Sequence, residues 1–241
     1  MGNAADFIAE EYEVTREAMD EFAARSQQKA IAAIEAGKFK AEIVPVEIPG
    51  RKGKVTIFDT DEGPRAGTTA EALANLRPVF TKDGKTTAGN SSTLNDGAAA
   101  AVVSSRAYAE ANGLKPMARI LAYGHSAVQP KYLFSAPAKA MPKILALAGW
   151  TFADVDLLEL NEAFAAQCLA NGKELAEQGW DWEKVNIHGG GIALGHPIGA
   201  SGARVLATLI YALKDRGLKR GLASLCLGGG EAVAMAIELE D

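Results

Sequence analysis

Three times in its C-terminal half the chain runs a short apolar segment directly into small and polar residues. Leu157-Leu158-Glu159-Leu160 is followed by Asn161-Glu162-Ala163-Phe164. Val185-Asn186-Ile187-His188 is followed by a glycine-rich stretch, Gly189 to Gly202, with Gly195-His196-Pro197 at its centre. Leu222 to Leu227, which contains Cys226, is followed by Gly228-Gly229-Gly230. Apolar runs of this length bounded by turn signals read as buried strands. Between them, Ala163–Gln178 and Gly202–Asp215 carry helical periodicity. Upstream, Ala118–Tyr123 reads as a strand and Pro142–Ala148 as a helix ended by Gly149; downstream, Ala232–Ile237 is a final strand. The order from Pro116 is β-α-β-α-β-α-β-β, which demands an α/β layered domain with a mixed sheet. Ligands gather at the carboxyl ends of strands in such sheets. The residues after the three runs are therefore the first candidates for function.

The N-terminal part is organised differently. Thr15 caps a helix whose apolar face runs through Met19, Phe22, Ala23, Ser26, Ala30 and Ile34 and which stops at Gly37. Glu42–Ile48 and Lys54–Phe58 read as strands joined through Pro49-Gly50-Arg51-Lys52-Gly53. Residues 59–90 are rich in Gly, Thr, Asp and Pro and read as long connections around a short helix, Ala70–Asn75; a stretch of this kind is usually functional. Asn95-Asp96-Gly97 is a turn, followed by the small apolar run Ala98–Val103 and a helix reaching Asn112-Gly113.

Composition narrows the function classes. A net charge of −5 leaves no electrostatic footprint for nucleic acid. No apolar run is long enough to span a bilayer and no leader is visible at Met1-Gly2-Asn3, so the expectation is a cytoplasmic or matrix-like protein with no membrane partner. Two cysteines make no disulfide framework, and with three scattered histidines they offer no zinc spacing, so no metal is expected.

The glycine run is not a nucleotide loop. Leu194 stands where a dinucleotide fingerprint needs glycine, the run does not open a helix directly, and no lysine serves as in a P-loop. Its glycines instead let backbone approach a ligand and place His196 at a tight bend, with Pro197 fixing the next dihedral. Cys226 could be a packed small hydrophobe. Against that, three glycines follow it, and the Gly228 N–H could serve an oxyanion. Asn161 could hold a water or an oxyanion, or simply cap the next helix; Glu162 suits support better than general acid work. Cys168 lies mid-helix and reads as packing, and His125 and His188 as structural. Asn161, His196 and Cys226 together describe the acid–base side of an acyl-transfer site.

Asn161-Glu162-Ala163-Phe164, Gly195-His196-Pro197 with Gly199-Ala200-Ser201-Gly202, and Cys226-Leu227-Gly228-Gly229-Gly230 resemble, in order and spacing, the three C-terminal signatures of the thiolase family. The likeness continues through Ala88-Gly89-Asn90-Ser91-Ser92 and Asn95-Asp96-Gly97 back to Met1-Gly2, and is strongest to the two-carbon acetyl-CoA acetyltransferases. The resemblance implies a thiolase-like layered fold: a cap (loop) domain over 1–94, the last strand and helix of the first unit over 95–115, and the second β-α-β-α-β-α-β-β unit over 116–241. It implies reversible Claisen condensation of two acetyl-CoA to acetoacetyl-CoA plus CoA, with thioesters as substrates and no resident cofactor.

By the same resemblance His196 activates a nucleophilic cysteine and Cys226 exchanges the α-proton. Asn161 positions a water at the enolate oxygen, and Gly228 contributes a second oxyanion hole. Ser92 and Leu133 lie along the pantetheine, Arg65 lies near the adenosine end of coenzyme A, and Phe164 lines the acyl cavity. A cysteine base is expected to need a lowered pKa. Leu133 and Phe134 depart from the Met and Gly common in the family and imply a differently shaped tunnel. The family's nucleophilic cysteine belongs to an N-terminal half not matched here. The resemblance therefore implies an exposed apolar face, a partner chain carrying that half, and a homo- or hetero-oligomer. The alternatives are a non-catalytic CoA-binding scaffold, an inactive truncation product, and a cysteine hydrolase using Cys226 and His196.

Overall fold

A computed structural model of the chain describes residues 1–240. It contains helices α1 (Gly2–Glu11) and α2 (Arg16–Glu35), and a hairpin of β1 (Val46–Pro49) and β2 (Val55–Phe58). Short helices α3 (Ala70–Ala74) and α4 (Arg106–Ala111) follow. The C-terminal part holds β3 (Ala118–Ala127), α5 (Ala136–Ala148), β4 (Leu157–Leu160), α6 (Ala165–Leu175), the single turn α7 (Gly191–Leu194), α8 (Ser201–Arg216), β5 (Arg220–Leu227) and β6 (Glu231–Leu239).

Strands β3 to β6 form one mixed sheet in the order β3-β6-β5-β4. β4 runs parallel to β5 with Leu160 opposite Ser224, and β6 lies antiparallel to both β5 and β3. The alternation of side chains along β4 divides the core. Leu158 and Leu160 join Met141, Ile144, Leu145, Cys168 and Leu175 under α5 and α6. Leu157 faces the other way, with Val205, Leu209 and Leu213 of α8. The sheet is thus covered on both faces, as the expected α/β layering requires.

Several elements differ from the sequence reading. α1 was not expected; it buries Ala5, Ile8 and Ala9. α5 starts at Ala136, six residues before Pro142, which sits inside it. The strand expected over Ala98–Val103 is absent. These residues are in irregular backbone with no strand beside them, and Val102 is 96% exposed; without a partner an apolar segment has no ladder to complete. The strand expected over Val185–His188 is reduced to isolated bridges, Leu158 to Val185 and Ile187 to Gly189. Here a side chain replaces a strand. Asn186, at φ +45°, donates from Nδ2 to the Leu160 carbonyl (2.8 Å) and accepts at Oδ1 from the Leu160 N–H (2.9 Å). Its amide satisfies the outer edge of β4 as a neighbouring peptide would. Asparagine tolerates the left-handed conformation this requires.

α2 lies against α6 and α7, and α1 against α6 and Pro130–Ser135, a 3₁₀ segment. The β1–β2 hairpin stands exposed on both faces. No helix among the described residues is long and apolar enough to cross a membrane.

Candidate active site

Asn161 follows β4 and extends its pairing by one bond, its N–H donating to the Ser224 carbonyl at 3.0 Å. That places a wholly buried amide at the carboxyl end of the sheet. His196 arrives from the glycine loop. Its backbone N–H donates to the Thr93 carbonyl (3.1 Å), and Gly195 before it has φ +90° and abuts Asn95, whose side chain would collide with any Cβ there.

The imidazole is held from both sides. Nδ1 lies 2.6 Å from the Ser201 Oγ, and Ser201 spends its own proton on the Pro197 carbonyl at 3.0 Å. The serine therefore accepts from His196, the proton sits on Nδ1, and Nε2 keeps its lone pair. Nε2 faces the Asn161 Nδ2 at 3.4 Å. Burial, and secondarily the Arg204 cation, hold His196 below the usual imidazole value. It is a neutral base at physiological pH. The Asn161 Oδ1 is buried and has no protein partner, so it is an acceptor open to a water or substrate donor.

Beneath this pair lies Glu162, buried and accepting from the Ser26 hydroxyl (2.6 Å), the Asn186 Nδ2 (2.9 Å) and the Ile192 N–H (3.2 Å). Burial raises its pKa, against those hydrogen bonds. With both oxygens of the carboxylate engaged, Glu162 fixes the glycine loop to α2, as support rather than acid. The loop also forms one helical turn at Gly191, contrary to the expectation that it opens no helix. Gly190 packs directly on the Glu162 carboxylate. Gly190→Ala is expected to displace that carboxylate and cost about 1–3 kcal/mol, read as a lower urea midpoint.

Cys226 sits near the end of β5, packed with Leu133, Phe134, Ala163 and Phe164. These apolar neighbours desolvate the thiol and push it up to about 12. The expectation of a lowered pKa is thus overturned: no cation lies against the sulfur, and burial dominates. Cys226 rests as a thiol. Gly228 follows at the exposed end of β5, and Gly229 and Gly230 take positive φ to turn the chain into β6.

The remaining candidates divide. Phe164, at the start of α6, contacts Phe134 edge-on at 5.2 Å and Phe80 at 6.4 Å. Leu133 is buried beside them. Ser92 donates from both N–H (3.1 Å) and Oγ (3.0 Å) to the Ala163 carbonyl, which ties its segment to the start of α6. Arg65 joins none of these. Its backbone N–H is held by Gln27 (2.8 Å), which reaches the Ile192 carbonyl (3.3 Å), and its side chain is exposed. Cys168 is fully buried in α6, and His188 is buried edge-on to Phe39; both are packing groups. Ser201 and Asn186 were missed as supports. Ser201 stood inside the recognised motif, but its partner depends on the bend at Gly195; Asn186 gave no sequence signal. No group of three or more His, Cys, Asp or Glu suited to a metal occurs among the described residues.

Comparison with known proteins agrees with this architecture. The family model for the thiolase C-terminal domain matches residues 114–239, and that for the thiolase N-terminal domain matches residues 1–107. Acetyl-CoA acetyltransferases of Allochromatium vinosum and Escherichia coli are 55% and 56% identical over 238 residues, 99% of this chain in each case. The chain spans 60% and 59% of their lengths. The crystal structure of the Bacillus anthracis acetyl-CoA acetyltransferase superposes with a TM-score of 0.95 at 52% identity, covering 100% of this chain and 60% of that one. Human mitochondrial 3-ketoacyl-CoA thiolase gives 0.89 at 37%, covering 98% and 59%. The chain belongs to the thiolase family.

Proposed function

We propose that the chain supplies the acid–base and enolate-stabilising half of an acetyl-CoA acetyltransferase, interconverting two acetyl-CoA with acetoacetyl-CoA and CoA. The observation that carries this reading is the imidazole of His196, protonated at Nδ1 by its contact with Ser201 and unprotonated at Nε2, which accepts from the Asn161 amide at 3.4 Å. A lone pair fixed in direction and backed by a neutral ring suits a general base.

In the first half-reaction His196 takes the proton of a nucleophilic cysteine, which attacks the thioester and expels CoA. In the second, Cys226 exchanges the α-proton. A thiol held near 12 is a proton donor to an enolate carbon, the step of the cleavage direction. In the condensation direction the Cys226 thiol protonates the CoA thiolate that departs in the first half-reaction, and the thiolate left behind removes the α-proton of the second acetyl-CoA. Developing negative charge on the thioester oxygen is met by His196 and by a water held on the Asn161 Oδ1, and that on the second oxygen by the Gly228 N–H. Phe164 and Leu133 line the acyl and pantetheine path, Ser92 contacts the pantetheine, and Arg65 reaches the adenosine end. Neither Cys168, sealed in α6, nor Cys226, taken as the acid/base, is the nucleophile in this scheme. That cysteine belongs to the portion of a thiolase outside the stretch matched here. On the same reading 1–94 is the cap, 95–115 closes the first unit, and 116–241 is the second.

The test measures acetoacetyl-CoA cleavage by CoA. The chain is assayed alone and co-expressed with the N-terminal portion of the related E. coli enzyme. Turnover is expected only in the pair, and Cys226→Ala should reduce it by about 10²–10⁴-fold. Absence of turnover in a well-folded pair that binds CoA would sink the catalytic reading; absence of CoA binding would sink the family of roles altogether.

A further inference from the structure

The stretch 90–97 contains a motif, Asn95-Asp96-Gly97, that the proposed chemistry does not use. Its start is fixed in the core. Asn90 is wholly buried; its Nδ2 donates to the Asp20 carboxylate of α2 (2.9 Å) and to the Lys85 carbonyl (3.1 Å), and its Oδ1 accepts from the Thr87 N–H (2.8 Å). Helix α6 has no side-chain cap, and the Ala165 N–H of its first turn donates instead to the Asn90 carbonyl at 3.0 Å. From that anchor the chain passes Ser92, tied to Ala163, and runs on beside the glycine loop. There it meets three consecutive residues. The Thr93 carbonyl accepts from the His196 N–H at 3.1 Å. The Asn95 carboxamide occupies the space that a Cβ on Gly195 would need, and the Pro197 ring occupies the space that a Cβ on Gly97 would need. The residue before the imidazole, the histidine itself and the residue after it all rest on one strap.

We propose that Asn95 is a positioning residue for His196: its side chain, braced by Thr93, wedges the bend at Gly195 that delivers the imidazole to Asn161. Of the three contacts it is the one a side chain makes; Thr93 uses its main chain and Gly97 its lack of a Cβ. The Thr93 Oγ1 donates to the Asn95 Oδ1 at 2.6 Å and holds the carboxamide against Gly195. The bend needs that support. Gly195, at φ +90° and ψ 168°, occupies a region essentially reserved for glycine, the residue with the most backbone freedom to lose. Such a conformation persists where its surroundings over-determine it. Ser201 and Asn161 set the rotation of the ring, and Asn95 sets where the backbone brings it. The inference rests on the reading of His196 as a base. Thr93 and Asn95 are both exposed, so changing either leaves the core intact.

Asn95→Ala removes the wedge. In the co-expressed pair assayed with acetoacetyl-CoA and CoA, kcat should fall by about 10–100-fold, since displacing a reacting group by about 1 Å costs up to about 10²-fold. KM for CoA should stay unchanged. Thr93→Val, which removes only the hydroxyl, should give part of the same loss, and Thr93→Ser, which keeps it, should restore the wild-type rate. The chain alone gives a second readout. Its three histidines can be separated by nitrogen-15 NMR of the rings, with His196→Gln giving the assignment. Wild type should show the His196 proton held on Nδ1, and Asn95→Ala a ring averaged between its two tautomers. A role in stability alone would lower the urea midpoint without moving these signals. An unchanged kcat in Asn95→Ala, a Thr93→Ser variant as slow as Thr93→Val, or unmoved His196 signals in Asn95→Ala overturns the proposal. A wild-type pair without turnover counts against the thiolase reading instead, and the ring signals then still decide the role of Asn95.

Discussion

Asn186→Ala is expected to cost the fold about 4 kcal/mol, a loss large enough to leave much of the protein unfolded at 37 °C. The Asn186 amide makes three buried contacts, two with the Leu160 backbone and one with Glu162. Alanine leaves all three partners dry and unpaired, at roughly 1–3 kcal/mol each before relaxation. It also places a Cβ residue without a local hydrogen bond at φ +45°. Single substitutions with effects above about 4 kcal/mol are exceptional and have named causes; here the cause is the removal of a surrogate strand. Urea unfolding followed by circular dichroism reads the loss. A change under about 1 kcal/mol would show that the edge of β4 finds other partners.

The second large effect concerns chemistry. His196→Ala should lower stability by about 1–3 kcal/mol, because it leaves the buried Asn161 Nδ2 without its partner. Turnover of the reconstituted enzyme should fall by about 10³–10⁴-fold. The wild-type pH profile gives an independent check. The His196 pKa is lowered, so the neutral base is fully present at pH 7 and is lost as pH falls through a value below 6.5. The acid limb of kcat should therefore lie below the usual imidazole midpoint. A profile with its acid limb above 6.5 would contradict the burial of the ring.

Much of this was legible in the residues because periodicity and punctuation agreed. The apolar runs at Leu157–Leu160 and Leu222–Leu227, the helix over Gly202–Asp215 and the helix capped by Thr15 all lie where local pattern places them. The pairing of Asn161 with His196 was legible only as two strand-end motifs, since 35 residues separate them and only the sheet brings them together. Two expectations failed for physical reasons. Val185–His188 has the composition of a strand, but Asn186 turns the backbone and substitutes an amide for the ladder. Ala98–Val103 has it too, but strand propensity is realised only where a neighbour offers hydrogen bonds and a surface. The raised pKa of Cys226 was equally hidden. It depends on burial against a cluster that includes Leu133, Phe134 and Ala163, none of which is near Cys226 in sequence.

The amide that finishes β4 gives the sheet two unlike margins. On the β4 side the outward carbonyl of Leu158 accepts from the Asn186 N–H (2.9 Å), and both polar groups of Leu160 are taken by its side chain. That margin offers nothing for another chain to zip onto. At the opposite margin β3 presents ten residues paired only to β6. There every second residue turns its backbone donors and acceptors outward. Growth of the sheet is therefore directional: one border is sealed by a single residue, and any lengthening of the ladder must begin at the other.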